Sequence, residues 1–405
     1  MTYPEAIDWL FQQFPAYQKI GASAYKPDLD NIISLCAYLE IDHAQLKFIH
    51  VAGTNGKGST SSMLASTFME KGFTTGLFTS PHILDFRERI IVNGNQIPEA
   101  RVIAFCEQIQ SATLPVEPSF FEITWALALA WFIEMNCEMC VIETGLGGRL
   151  DSTNIISPVL SVITNISLDH TAILGNTLPQ IAFEKAGIIK PNTPVVLGTY
   201  TAETLPVFQE VAKGKLADLY LAENYAGTNV FVSFPNTYSW ENERTVRRAF
   251  EVLAEIGYPF TATEIEVGIL NITPNTGFRG RFQVIAREPL TIVDVAHNED
   301  GIRQMLKTLS HFQQGTLHIV YGTSSDKDLS HILQLFPQDA RYFMTEFSSE
   351  RSAKIDQLEL YATQNGLNAK YFLKVSEAVE SAQLSANKED TILITGSFFL
   401  VSDFF

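Results

Sequence analysis

The chain of 405 residues has few cysteines, a shortage of positive charge and no long apolar run. Four cysteines, Cys36, Cys106, Cys137 and Cys140, are too few and too scattered for a disulfide framework. The Cys137-Glu-Met-Cys140 spacing raises a redox or zinc reading, but no second pair lies near it and a strand begins there. Buried thiols packing as small hydrophobes are expected instead. Lysine and arginine number 28 against 45 aspartates and glutamates, a net charge of −17, which argues against long-range attraction to nucleic acid or to a membrane surface. An anionic substrate must therefore meet a local cationic site. The longest apolar run away from the termini, Ile123 to Ile133 between Glu122 and Glu134, falls short of the roughly 20 residues that cross a bilayer and predicts a buried helix. The opening Met-Thr-Tyr-Pro-Glu lacks a basic and then apolar leader pattern, so a cytoplasmic location is expected.

What is present is a packed chain, 46% hydrophobic and 18% charged, which excludes disordered and collagen-like classes. At roughly 100–200 residues per domain, two or three domains are expected. Short runs rich in valine and isoleucine (Phe48–Ala52, Met139–Glu143, Val159–Ile163, Val195–Leu197) alternate with helical patterns such as Ser59 to Lys71. This is the signature of βαβ units and a mostly parallel sheet, whose ligands gather at the carboxyl ends of the strands. After a stretch rich in Gly, Pro, Asn and Arg, the pattern restarts at Leu290–Ala296 and continues through a helix over Glu299–Leu309 and strands at Leu317–Tyr321, Arg341–Met344 and Thr391–Thr395. The expected organisation is α/β, with a mostly parallel N-terminal sheet flanked by helices (residues 1–287) and a smaller, Rossmann-like C-terminal domain (288–405).

The strongest local signal is Val51-Ala-Gly-Thr-Asn-Gly-Lys-Gly-Ser-Thr60, between a predicted strand and a predicted helix. Glycines 53, 56 and 58 let backbone amides approach phosphate oxygens, Lys57 adds charge, and the helix start adds its dipole. The spacing departs from the commonest P-loop, because only two residues separate Gly53 from Gly56.

Gly53-Thr-Asn-Gly-Lys-Gly-Ser-Thr60 resembles the ATP loop of Mur-type ATP-dependent peptide ligases, specifically the folylpolyglutamate synthase and dihydrofolate synthase family. Further passages are similar to that family in the same order: Thr79-Ser-Pro-His82, Glu143–Asn154, Leu168-Asp-His170, Glu184–Ile189, Gly280-Arg-Phe282, Asp294-Val-Ala-His-Asn298 and Thr395–Leu400. The resemblance implies Ser80, Glu143 and His170 as ligands of Mg²⁺, two oxygens and an imidazole that fit the ion when ATP oxygens and water complete its shell. It implies that Lys185 is carbamylated; its bland reading is a cation near a helix C-terminus. It places the pterin side of the substrate at Ser119, Phe120, Phe121 and Glu122, although Phe121 equally suits a core. It places the pteroate portion at Arg149, Leu150, Asp151 and Ser152, and a glycine-rich turn presenting Arg and Asp at a strand end is expected to have little purpose in packing. The Arg149-Leu150 pair favours acceptance of dihydropteroate.

For the nucleotide, the resemblance implies Gly53, Thr54, Asn55, Gly56, Lys57, Gly58, Ser59 and Thr60 together with Asn242, Arg281 and Asp294, sandwiched between two domains. Arg281 offers a guanidinium for charge on a transferring phosphoryl group, with Arg279 as a rival. His297-Asn298 and Asp326-Lys-Asp328 are expected to face the cleft, Lys327 adding charge; capping explains Asn298 and Asp328 nearly as well. The activity implied is ATP-dependent addition of L-glutamate to dihydropteroate or reduced folate through an acyl phosphate, with Lys57, Lys185, Arg281 and His297 as catalytic residues. A carboxylate or His297 would take the amine proton. A monomer with small-molecule substrates is expected. The alternatives are a folylpolyglutamate synthase only, another Mur-type ligase such as a muramyl ligase, a P-loop ATPase without ligase chemistry, and a non-catalytic binding protein.

Overall fold

The computed structural model describes residues 1–16, 28–227 and 237–405. The chain divides into two compact units, Met1–Phe278 and Arg279–Phe405.

The first unit is built on strands β1 (Phe48–Ala52), β2 (Thr75–Phe78), β3 (Ile90–Val92), β4 (Asn95–Gln96), β5 (Met139–Glu143), β6 (Leu160–Ile163), β7 (Val195–Leu197) and β8 (Leu219–Leu221). Their order is β4-β3-β2-β5-β1-β6-β7-β8. β1 lies between β5 and β6, parallel to both, and only the β2–β3 and β3–β4 pairs are antiparallel. Strands covered on both faces carry apolar residues at successive positions, and this is why β1 and β5 are buried along their whole length. Phe48 packs into one core with Phe78, Ile142 and the helix Phe120–Glu134, while Ile49 and Val51 pack into the opposite core with the helix Lys57–Glu70.

Ser119 and Glu122 set the start of Phe120–Glu134 through a capping box: Ser119 N donates to Glu122 Oε2 (2.6 Å) and Glu122 N donates to Ser119 Oγ (3.2 Å). Ile123, Trp125, Leu127, Leu129 and Phe132 are all buried, as expected for a helix apolar around its whole circumference. The helix Lys57–Glu70 is also buried from Gly58 to Phe68, and its Ser, Thr and Ala side chains let it lie close to β1, β2 and β5. All four cysteines are buried and free, as anticipated. Among the described residues no helix is long and apolar enough to cross a membrane.

The second unit contains β9 (Gln283–Arg287), β10 (Leu290–Asp294), β11 (Leu317–Tyr321), β12 (Arg341–Thr345), β13 (Asn368–Phe372) and β14 (Thr391–Thr395), ordered β13-β12-β11-β14-β10-β9. All pairs are parallel except β9–β10. This unit begins at Arg279, earlier than the sequence-based division at 288. The physical reason is β9, which pairs with β10 and so belongs to the second sheet. β9 is an edge strand whose last three residues are exposed, and it lacks the continuous apolar run of an interior strand.

Candidate active site

The glycine-rich loop leaves β1 at Gly53 and enters the helix Lys57–Glu70 through Gly56. Gly53 has φ +148°, and a Cβ there would sit 1.9 Å from Thr164 Oγ1; Gly56 has φ +80°, and a Cβ there would sit 2.2 Å from Asn242 Oδ1. Only glycine fits these two positions. The segment after β6 clamps the loop. Thr54 N donates to Asn165 O (2.9 Å), Asn55 N to Asn165 Oδ1 (2.8 Å), Thr164 Oγ1 to Asn55 O (2.6 Å) and Ser167 N to Thr54 Oγ1 (3.0 Å). Thr164, Asn165 and Ser167 were not singled out from sequence. Their available signal is a polar Thr-Asn-Ile-Ser run at the carboxyl end of a buried strand.

Lys57 Nζ folds back onto Gly53 O and Thr54 O, both at 3.1 Å. Lys185, distant in sequence, donates from Nζ to the same Gly53 O at 2.7 Å. Burial, aided by the Lys57 charge, lowers the Lys185 pKa to about 7 against the opposing pull of Asp169 and Asp151. Two lysines thus converge on one carbonyl of the loop. Thr60 Oγ1, Ser61 Oγ and Asn242 Nδ2 are buried without a hydrogen-bond partner among the described residues, and Asn242 reaches the loop from the helix Thr237–Glu255.

Ser80 and Glu143 meet at the ends of neighbouring strands, where Ser80 N donates to Glu143 Oε2 at 3.0 Å. Glu143 is buried and opposes Val51 in the β1–β5 register. His170 follows β6, on the other side of β1, at φ +49°. Its backbone N donates to Asp169 Oδ1 (2.8 Å), and its Nε2 lies 3.9 Å from Asp169 Oδ2. No group of three His, Cys, Asp or Glu side chains that could hold a metal occurs among the described residues. A carboxylate, a hydroxyl and an imidazole fit a divalent ion whose other ligands are phosphate and water.

Ser119 and Glu122 serve the capping box described above. Phe120 is buried, stacked on Phe11 at 4.4 Å between centroids. Phe121 is partly exposed, 5.7 Å from the Phe78 ring and pressed on Gly145 so closely that a Cβ there would lie 2.6 Å from its Cζ. The Arg149–Ser152 turn does have packing roles, contrary to the sequence-based argument. Arg149 makes a bidentate pair with Glu184 (Nη2 to Oε1 2.9 Å, Nε to Oε2 3.2 Å) and stands 5.7 Å over Phe183. Asp151 is buried and accepts from Leu146 N (2.7 Å), Thr153 N (3.0 Å) and Thr153 Oγ1 (2.5 Å). Burial raises the Asp151 pKa against these hydrogen bonds. Leu150 and Ser152 are partly exposed. Glu184 and Asp169 carried no role in the sequence reading, although both stand beside residues that did.

In the second unit, Asp294 ends β10 and fastens two turns, accepting from Phe282 N and Ala296 N, each at 2.7 Å. Burial raises its pKa to about 6, opposed by those hydrogen bonds and by Arg281 and His297. Arg281 lies 5.2 Å over the Phe398 ring and donates to Arg279 O (3.2 Å). His297 is 5.8 Å from the same ring, with Nδ1 2.9 Å from Val295 O. Arg281, Asp294 and His297 therefore share one end of this sheet. Asn298 accepts from Gly301 N (2.8 Å) and Asp328 from Ser330 N (3.1 Å), so each caps a helix.

Residues 51–215 match the Mur ligase middle domain and residues 280–398 the Mur ligase glutamate ligase domain. A probable bifunctional folylpolyglutamate synthase/dihydropteroate synthase of Haloferax volcanii is 32% identical over 429 residues, covering 100% of this chain and 50% of the relative, so the chain spans half of that protein's length. The dihydrofolate synthase/folylpolyglutamate synthase of Escherichia coli is 32% identical over 366 residues, covering 87% of this chain and 84% of the relative. Among solved structures, E. coli FolC in complex with DHPP and ADP superposes with a TM-score of 0.85 at 28% identity, covering 99% of this chain and 96% of the other. A bifunctional folylpolyglutamate synthase/dihydrofolate synthase with Mn, AMPPNP and L-glutamate bound superposes with a TM-score of 0.84 at 27% identity, covering 99% and 97%.

Proposed function

Because the chain belongs to the dihydrofolate synthase/folylpolyglutamate synthase family of ATP-dependent Mur-type ligases, we propose that it joins L-glutamate to dihydropteroate and to reduced folates through an acyl phosphate, acting as a monomer on small molecules in the cytoplasm. The observation that carries this reading is the clamped glycine loop with Lys57 and Lys185 on one carbonyl. That arrangement places the Lys57 cation, with the Lys185 side chain beside it, on the loop of a chain of net charge −17.

The glycines of the loop bring backbone amides to the β- and γ-phosphates of ATP, and Lys57 turns from the Gly53 and Thr54 carbonyls to offset charge on them. Ser80, Glu143 and His170 would hold the divalent ion. Mg²⁺ bound there would supply charge neutralisation for the phosphate oxygens. The acid substrate lies along Ser119–Glu122 and Arg149–Ser152, where Phe121 offers an aromatic face and the ion-paired Arg149 and buried Asp151 shape the turn. Its carboxylate attacks the γ-phosphorus, and the glutamate amine then displaces phosphate from the activated carbonyl. Asn242 Nδ2 serves the adenine side, Asp294 the ribose side, and Arg281 meets charge developing on the transferred group. His297, held through Nδ1, is the proton acceptor we assign to the amine. Lys185 carries a carbamate that supports the metal side of the loop.

ADP release measured with dihydropteroate and with tetrahydrofolate, each with and without L-glutamate, tests the reading. The expected result is ADP formation with either acid only when glutamate is present. Activity with tetrahydrofolate alone refutes the bifunctional claim, and glutamate-independent ADP release refutes ligase function.

A further inference from the structure

His50 occupies the middle of β1, between Phe48 and Val51, and is fully buried. The mechanism above gives it no task, and packing alone does not explain it. Its Nδ1 is buried without a hydrogen-bond partner among the described residues, a deficit that a leucine or phenylalanine would avoid. Desolvation, aided by the nearby Lys190 charge, holds the imidazole neutral by lowering its pKa to about 3.

The other nitrogen is engaged. His50 Nε2 lies 2.8 Å from Thr153 Oγ1, and that hydroxyl lies 2.5 Å from Asp151 Oδ1. A threonine hydroxyl has one proton to give. When the Asp151 carboxylate takes it, the Thr153 oxygen must accept from His50, which fixes the proton on Nε2 and leaves Nδ1 bare. The unpartnered Nδ1 is the atom this tautomer makes an acceptor. The chain of hydrogen bonds therefore has one direction, His50 Nε2–H to Thr153 Oγ1–H to Asp151 Oδ1.

This direction links two parts of the site. His50 stands three residues before Gly53 on the strand that delivers the phosphate loop. Thr153 and Asp151 belong to the turn whose preceding residues Gly145 and Leu146 touch Phe121 and Asp151. We propose that His50 is a positioning residue for the acid substrate, directing the Thr153 hydroxyl onto Asp151 and so fixing the 145–153 turn relative to the strand that carries the phosphate loop. The inference rests on the assignment of Arg149–Ser152 to the acid substrate.

Its test combines kinetics with a measurement on the resting protein. Nitrogen-15 spectra of labelled protein should show His50 as the neutral Nε2–H tautomer, and a neutral Nδ1–H tautomer or an imidazolium overturns the proposal. Thr153→Val and His50→Leu should raise KM for dihydropteroate about tenfold while KM for ATP stays within about twofold; Thr153→Ser and His50→Gln, which keep the hydroxyl and a donor near the Nε2 position, should restore it. A wild-type KM in Thr153→Val overturns the proposal, as does equal damage to both substrates that Thr153→Ser does not rescue. Asp151→Asn identifies which assumption failed. An effect there without one in Thr153→Val refutes the role of His50 alone, whereas no effect in Asp151→Asn refutes the assignment of the turn to the acid substrate and overturns the proposal with it.

Discussion

Supplying bicarbonate labelled with carbon-13 should convert Lys185 from an amine to a carbamate. The reaction consumes the neutral form, R–NH₂ + CO₂ giving R–NH–COO⁻ + H⁺, so its extent follows the neutral fraction. Burial and the Lys57 charge lower the pKa from the ordinary 10.5 to about 7. At about pH 7.5 roughly three-quarters of such a lysine is neutral, against roughly one in a thousand for an unperturbed one. The carbamate nitrogen keeps one N–H, so the contact to Gly53 O can survive, and the new negative charge is favoured by Lys57. The same shift makes the bare amine a liability: between about pH 7 and 10.5 the unfolded chain binds more protons than the folded one, so stability rises with pH across that window. The full span is on the order of 5 kcal/mol, and carbamate formation, which consumes the neutral amine, should add to folded-state stability where that form prevails. Carbon-13 NMR at about pH 8 should therefore show a carbamate carbon signal that is absent from Lys185→Arg, and urea melts with and without bicarbonate should diverge above about pH 7 and converge as pH falls below it. A bare amine under saturating bicarbonate refutes the reasoning.

Three further outcomes are expected. Lys57→Ala should lower ligase turnover by at least about 10³-fold with thermal unfolding unchanged, because among the described residues its amine donates to two loop carbonyls; surviving activity would remove Lys57 from the phosphate site. Gly53→Ala should abolish ATP binding by calorimetry and cost about 2 kcal/mol or more of stability in urea titration, since its Cβ would meet Thr164 Oγ1 at 1.9 Å; a wild-type affinity would mean that the clamp yields readily. Asp294 has its pKa raised to about 6, mainly by burial, so its folded form binds more protons than the unfolded chain between about pH 4 and 6. The second unit should lose about 3 kcal/mol as pH rises through that window. Asp294→Asn should remove this slope from the urea midpoint, and an unchanged slope would disprove the linkage.

The strands were legible where burial on both faces makes a continuous apolar run, as in Met139–Glu143 and Thr391–Thr395. The glycine-rich strand-to-helix junction was legible because its glycines and lysine lie in one short stretch. β9 escaped because an edge strand needs only one partner and can expose charge, as Arg287 shows. Glu122 shows a different difficulty: the Ser-x-x-Glu spacing signals a capping box, and this local role is compatible with the substrate reading that drew attention first. The contacts of Lys185 with Gly53 and of His50 with Thr153 join residues more than a hundred positions apart, so no local pattern reports them. Asp151 was read as a presented group, whereas its carboxylate is occupied by its own turn.

The ties from Thr164, Asn165 and Ser167 to the phosphate loop have a consequence for how nucleotide affinity is distributed. Fixing one residue's backbone costs about 1–2 kcal/mol in entropy. Thr54 and Asn55 are already fastened to the neighbouring strand's extension, so that ordering belongs to folding and is not charged again to ATP. Loosening any one tie should therefore appear as an unfavourable entropy of nucleotide binding, with the enthalpy of the phosphate contacts nearly intact. Mutations at Asn165, which belongs to no catalytic step, would in this way set how tightly the nucleotide is held.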